Sequence, residues 1–257
     1  MTPASKGGTA AVVADLERML REAGEPERAV NEKRYLKSPL EHYGVRVPVI
    51  RSAAKAVARA QGGLTRPRLL AVVRRLWSST VHEQRMAAVI LMEQHVGALE
   101  AGDLELVEDM IRGSFTWAYV DGLAARVAGT LVDAHPELLG QLDRWAADGS
   151  FWVRRAAILA LMGPLKAGRG EWKRLTRYTD SMLAEKEFFI RKAIGWVLRE
   201  TSKTDPDRVR DYVASRLDRM SGLTFREAVK HLPARDRAAL EKERDAQAVP
   251  SPPIRGR

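Results

Sequence analysis

The 257-residue sequence contains no cysteine. That removes disulfides, thiolate catalysis and cysteine-ligated metals together, and a reducing cytoplasm is the compartment expected of such a chain. Long apolar runs are missing too. None approaches the roughly 18–20 residues of a membrane-spanning helix, and the opening MTPASKGGTA lacks the apolar core of a secretory signal. Alternating apolar and polar runs joined by Asn-Gly or Asp-Gly hairpin turns are not found. There is no phosphate-cradling loop of the P-loop or dinucleotide kind, no nucleophile elbow and no Ser-His-Asp pattern. The five histidines, His42, His82, His95, His135 and His231, are scattered and lack metal-ligand spacing. The basis for a sheet protein, a membrane protein, a nucleotide-binding enzyme or a metal enzyme is therefore absent.

What is present is positive charge and helical periodicity. Lys and Arg number 43 against 33 Asp and Glu, a formal net charge of +10. Such a balance favours a polyanionic partner, nucleic acid ahead of an acidic protein or a membrane surface. Hydrophobic residues make up 45%, as in folded chains. Stretches with apolar residues at helical spacing, separated by Gly, Pro, Ser or Asp, predict helices near 9–23, 27–37, 48–61, 66–77, 81–97, 103–112, 116–133, 136–147, 151–165, 170–184, 187–203, 206–219, 222–232 and 234–245. Pro48, Pro67, Pro136 and Pro206 each fit a first turn, where the missing N–H costs nothing. Residues 1–8 and 246–257, the latter ending AVPSPPIRGR, are expected to be disordered ends around a single domain of residues 9–245.

The helices repeat. Aligning VHEQRMAAVILME, FTWAYVDGLAARV, SFWVRRAAILALM, EFFIRKAIGWVLR and LTFREAVKHL puts Ala87, Gly122, Ala156, Ala193 and Ala228 in register. The residues before them, Met86, Asp121, Arg155, Lys192 and Glu227, are spaced by 35, 34, 37 and 35. This period predicts an all-α chain, a curved solenoid of stacked HEAT-like antiparallel helix pairs. Equivalent positions of a solenoid line one surface, so Asp121, Arg155 and Lys192 should share a groove. Trp117, Phe151 and Phe188 lie one turn before them, and Ala124, Ala125 and Ala128 should leave open space beside Asp121.

The stretch KEFFIRKAIGWVLRE, residues 186–200, sharpens this expectation. At 100° per residue Ile190, Ala193, Ile194, Val197 and Leu198 gather on one side. Trp196 falls instead beside Lys192, Arg199 and Lys203. A tryptophan can pack on an adjacent helix, but cationic neighbours argue for exposure, where it suits a base, a deoxyribose or a phosphate backbone. Arg155 and Lys192, in register, read as a phosphate track or as solvated face charges. Asp121 reads as an ion-pair partner of Arg155 or as a catalytic carboxylate; binding of phosphates alone gives no reason for it. KAGRG, 166–170, is a basic loop and a weak pointer to phosphate.

At these residues the sequence resembles the AlkD family of bacterial DNA glycosylases. FWVRRAAIL and KEFFIRKAIGWVLRE carry most of the resemblance, TWAYVD supplies a third motif, and the match runs from about residue 28 to 232. The resemblance implies a basic concave groove for duplex DNA and hydrolysis of the N-glycosidic bond of cationic alkylated purines: 7-alkylguanine, 3-alkyladenine and, in principle, bulky adducts. It implies a lesion not flipped into a pocket and no metal or redox cofactor; a monomer with no membrane partner is expected. It assigns catalysis to Asp121, Trp117 and Trp196, and DNA binding to Arg155. Lys192, Arg199 and Lys203, on the same basic face, join Arg155 as expected DNA contacts. The alternatives are a non-catalytic HEAT module binding unusual nucleic-acid structure, which does not need Asp121, and a solenoid that recognises an acidic protein.

Overall fold

The computed structural model describes residues 8–248, so residues 1–7 and 249–257 of the expected loose ends lie outside the described residues. Sixteen α-helices and short 3-10 turns make up the described chain, and no strand occurs among these residues beyond one isolated bridge, Glu41 with Val81. The chain is all-α. It divides into two compact units that meet in sequence at residues 139 and 140.

Unit 1 opens with α1 (Thr9–Glu22), α2 (Pro26–Leu36), α3 (Val47–Ala60), α4 (Arg66–Trp77) and α5 (His82–Gln94). Their apolar spacing dictates their faces. α3 buries Ile50, Ala53, Ala54, Val57 and Ala58, one stripe at the i, i+3, i+4, i+7 spacing. α4 buries Leu69, Val72, Val73 and Leu76 in the same way. α5 is buried almost all round and packs on α3 and α4, so it forms the centre of the unit. Each Leu, Ile or Val fully withdrawn from water contributes roughly 1.5–3 kcal/mol before entropy is counted. α2 differs: none of its residues is buried. α6 (Leu104–Arg112) follows, then a long helix in three parts. α7 (Trp117–Gly122) runs through a π-helical turn, Leu123–Ala128, into α8 (Gly129–Ala134).

Unit 2 holds α9 (Leu139–Ala146), α10 (Phe151–Ala160), α11 (Met162–Lys166), α12 (Trp172–Met182), α13 (Phe188–Thr201), α14 (Pro206–Ala214), α15 (Gly222–Ala228) and α16 (Ala234–Ala248). α13 is its central helix and packs on α10, α11, α14 and α15. Its approach to α15 is closest at Gly195, where an added Cβ would lie 2.5 Å from the Glu227 Cβ and 2.9 Å from the Thr224 carbonyl oxygen. The sequence period appears here as direct contact. Asp143 meets Tyr178, Thr179 meets Tyr212 and Lys192 meets Glu227 at 2.6, 2.7 and 2.6 Å, across separations of 35, 33 and 35 residues.

The expected helices are present with shifted ends. The stretch 81–97 ends as an α-helix at Gln94 and gives way to a 3-10 turn. The stretch 151–165 breaks at Leu161 into α10 and α11, and α14 stops at Ala214 rather than 219. α16 continues to Ala248, three residues into the stretch expected to be tail. Pro48, Pro67 and Pro206 sit in first turns of α-helices, and Pro136 opens a 3-10 turn.

Candidate active site

In unit 1 the candidate groups stand on α7. Thr116 caps it, its hydroxyl accepting the Ala118 N–H at 3.3 Å. Trp117 and Asp121 follow one turn apart, hence on one face. Trp117 is 36% exposed and Asp121 half-buried. The opposite face is anchored by Tyr119, which is fully buried with its ring edge-on to Trp77 and Phe115. Burial pushes the Tyr119 phenol far above its usual range. Gly122 lets α7 approach α5: a Cβ there would come 2.5 Å from Glu93 Oε1 and 3.0 Å from Val89. Glu93 in turn binds Arg51 at 2.6 Å and lies 4.0 Å from Arg126.

The π turn changes one expectation. Ala124 and Ala128 are fully buried and only Ala125 is half-exposed, so Ala124 and Ala128 do not open space beside Asp121. In a π turn each residue advances by less than the α-helical 100°, and residues beyond Gly122 rotate away from the Asp121 face. Single π turns concentrate at functional sites.

A residue missed in the sequence joins this face. Tyr35 of α2 is 74% exposed and its ring meets Trp117 edge-on, centroids 6.4 Å apart. An exposed aromatic among Glu, Lys and Arg was the only signal available, and its proximity to Trp117 needs the fold. A basic hollow of about 530 Å³ in the same unit is lined by Arg51, Lys55, Arg59 and His95. The first three lie at i, i+4 and i+8 of α3.

In unit 2, α13 places its residues as the periodicity predicts. Ile190, Ala193, Ile194, Val197 and Leu198 are fully buried, while Trp196 is half-exposed and shares its face with Lys192 and Arg199. Glu187 caps the helix by accepting the Phe189 N–H at 3.2 Å. Phe188, which opens the helix, is 54% exposed.

The cations of this face are not bare. Lys192 and Arg199 both bind Glu227, Lys192 at 2.6 Å. Lys203 and Lys166 both bind Glu200, at 2.8 and 3.3 Å. Burial alone would raise the Glu227 carboxyl, but the hydrogen bond and charge of Lys192 and the charge of Arg199 outweigh it and hold it below the usual range. Glu200 is lowered against its own burial by Lys203 and Lys166. Four cations thus share two carboxylates, and the face keeps an excess of positive charge.

Arg155 is buried, 2% exposed, and its Nη1 donates to the Phe189 carbonyl while its guanidinium lies 5.9 Å from the Phe189 ring centroid. It braces α10 against α13. The expected phosphate contact requires an exposed head group, which this placement does not give. The scattered histidines also look different once folded: among the described residues His42, His82 and Glu32 form one group compact enough for a metal ion.

A helical-repeat protein with basic, tryptophan-bearing helix faces is the class that fold and site define. The chain belongs to the DNA alkylation repair enzyme family, whose model matches residues 16–232. A solved structure described as a predicted DNA alkylation repair enzyme from Enterococcus faecalis is similar at a TM-score of 0.70 and 26% identity, covering 82% of this chain and 97% of that one. AlkD2 from Streptococcus mutans shares the fold at a TM-score of 0.59 and 18% identity, over 88% of this chain and all of that one. No curated protein matches the chain significantly.

Proposed function

We propose that the protein is a DNA glycosylase that removes cationic alkylated purines from duplex DNA. The observation that carries this reading is the pairing of Trp117 with Asp121 on the open face of α7, in a chain of this family. A 7-alkylguanine or 3-alkyladenine already bears positive charge, so its glycosidic bond breaks with little protonation and the base leaves neutral. The electron pair of the C1′–N bond goes with the base. Positive charge then develops on the sugar, and water adds at C1′ and loses a proton. Asp121 stabilises the sugar cation by charge and orients or deprotonates the water. Trp117 and Trp196 lie against the sugar-phosphate backbone. Lys192, Arg199 and Lys203 supply positive potential along it. Arg155 acts by holding α13, which bears Trp196, rather than as a bare phosphate ligand. No base pocket is required, so the lesion is not flipped into one. The reaction itself needs no metal or redox cofactor, and a cytoplasmic monomer suffices.

Single-turnover release of base from a duplex carrying 7-methylguanine tests the reading. Wild type should excise, and Asp121→Asn should lose roughly 100-fold or more while duplex binding persists. Equal rates for both proteins would remove Asp121 from the chemistry. Salt-sensitive duplex binding by wild type with no release of methylated or bulkier N7 adducts would leave the non-catalytic module.

A further inference from the structure

Unit 1 contains a buried polar cluster for which the proposed chemistry has no use. Glu32 of α2, His42 of the loop before α3 and His82 at the start of α5 each offer a ligand atom, and these atoms lie within 4.8 Å of one another. The His42 side chain is 1% exposed, yet neither ring nitrogen has a hydrogen-bond partner. Glu32 Oε2 is buried and makes no hydrogen bond either, while Oε1 accepts one from Arg28 at 3.3 Å. Buried polar atoms in folded proteins are almost always satisfied, and an exception calls for a cause. Glu32 Oε2 and His42 Nδ1 are 3.8 Å apart. That is too long for a hydrogen bond.

The frame around the cluster is rigid. The Tyr119 hydroxyl lies 2.6 Å from His82 Nδ1 and 3.3 Å from the His82 carbonyl oxygen. In the tautomer whose Nδ1–H donates to Tyr119, the Nε2 lone pair is left open, the arrangement by which outer-shell partners orient metal-binding imidazoles. The His42 loop is fixed by Glu83, whose carboxylate accepts the N–H groups of Tyr43, Gly44 and Val45 at 3.0, 2.7 and 3.2 Å. The Glu41 N–H donates to Thr80 and the His82 N–H to Glu41, both at 2.9 Å, which ties the two histidine backbones together. The two rings stack, centroids 4.3 Å apart at 8°. A shared ion needs the His42 ring to turn about its Cβ–Cγ bond, and no hydrogen bond of its nitrogens opposes the turn.

We propose that Glu32, His42 and His82 bind one divalent transition-metal ion of the zinc class, and that this ion fastens α2 to α5. Two imidazoles and one carboxylate suit such an ion, whereas magnesium and calcium take oxygen ligands throughout. α2 needs a fastening because it buries no residue of its own, yet it carries Tyr35 to the edge of Trp117. The role is structural and does not depend on the glycosylase reading.

The test uses the full chain, stripped with EDTA and desalted, then titrated calorimetrically with zinc chloride. Cobalt absorption in the visible reports the coordination. One zinc should bind per chain and raise Tm, and Glu32→Gln and His42→Phe should each weaken binding at least tenfold. His42→Phe keeps the ring stack, and metal-free circular dichroism of both variants separates lost ligands from lost fold. Absence of zinc binding by wild type overturns the proposal. So does binding that both folded variants retain unchanged, which would place the ion elsewhere.

Discussion

Trp196 is the residue whose placement the sequence predicted most directly. Five apolar neighbours at helical spacing had to share the buried side of α13, and they do. The partners of its cationic neighbours were not legible in the same way. Glu200 lies in the quoted stretch and Glu227 in the repeat alignment, but only the packing of α13 on α15 brings Glu227 onto Lys192 and Arg199. Arg155 shows the opposite limit: its register was right, but register does not report that it ends in the interior. At this scale Trp117→Ala should lower single-turnover excision roughly 10- to 100-fold, the worth of one stacking aromatic. Because the ring is over a third exposed and packs on the exposed Tyr35, Tm should fall by only a few degrees. Loss of excision matched by loss of fold would assign Trp117 to the core instead.

Helices such as α3 and α4 were legible because each has a clear apolar stripe and a proline in its first turn. What periodicity does not report is winding. The π turn is the run LAARVA between Gly122 and Gly129, whose apolar spacing is that of an ordinary helix, and it turned Ala124 and Ala128 inward. The seam between α13 and α15 is the element-level feature most open to test. Gly195→Ala should destabilise the protein by about 1–3 kcal/mol, since the added methyl meets the backbone at Thr224 and the Cβ of Glu227; denaturant unfolding measures it. Glu227→Gln should act in the other direction on binding. It frees Lys192 and leaves Arg199 only its 3.6 Å pair with Glu200, so duplex affinity should rise several-fold at low salt, with a steeper dependence of log K on log salt by up to about 0.9 per released cation. Unchanged affinity and slope would remove this face from the DNA interface.

For the whole molecule, the net charge of +10 favours a polyanion, but many of the basic residues are tied to carboxylates. Asp143 is the clearest acid-sensitive tie in unit 2. Hydrogen bonds from Arg174 lead, against burial and with help from the Tyr178 hydroxyl and the charge of Arg177, in pushing its carboxyl down to about 2. A lowered carboxyl stabilises the fold fully above its unfolded value, about 3.9, and the contribution fades as pH falls through the folded value. Stability of the protein should therefore drop between about pH 4 and pH 2. Asp143→Asn should flatten that drop and cost about 1 kcal/mol at neutral pH, a figure kept small because the carboxylate is partly in water. Thermal unfolding of the two proteins across this pH range provides the comparison.

The π turn between Leu123 and Ala128 also bears on how the gene can change. A single-residue deletion elsewhere in the 117–134 helix would swing everything beyond it by about 100°. The same deletion within the wide turn closes it to an ordinary helical turn and leaves the faces on either side where they were. The helix that carries Trp117 and Asp121 thus contains its own expansion joint, one place where chain length can drift between lineages while the working face keeps its aim.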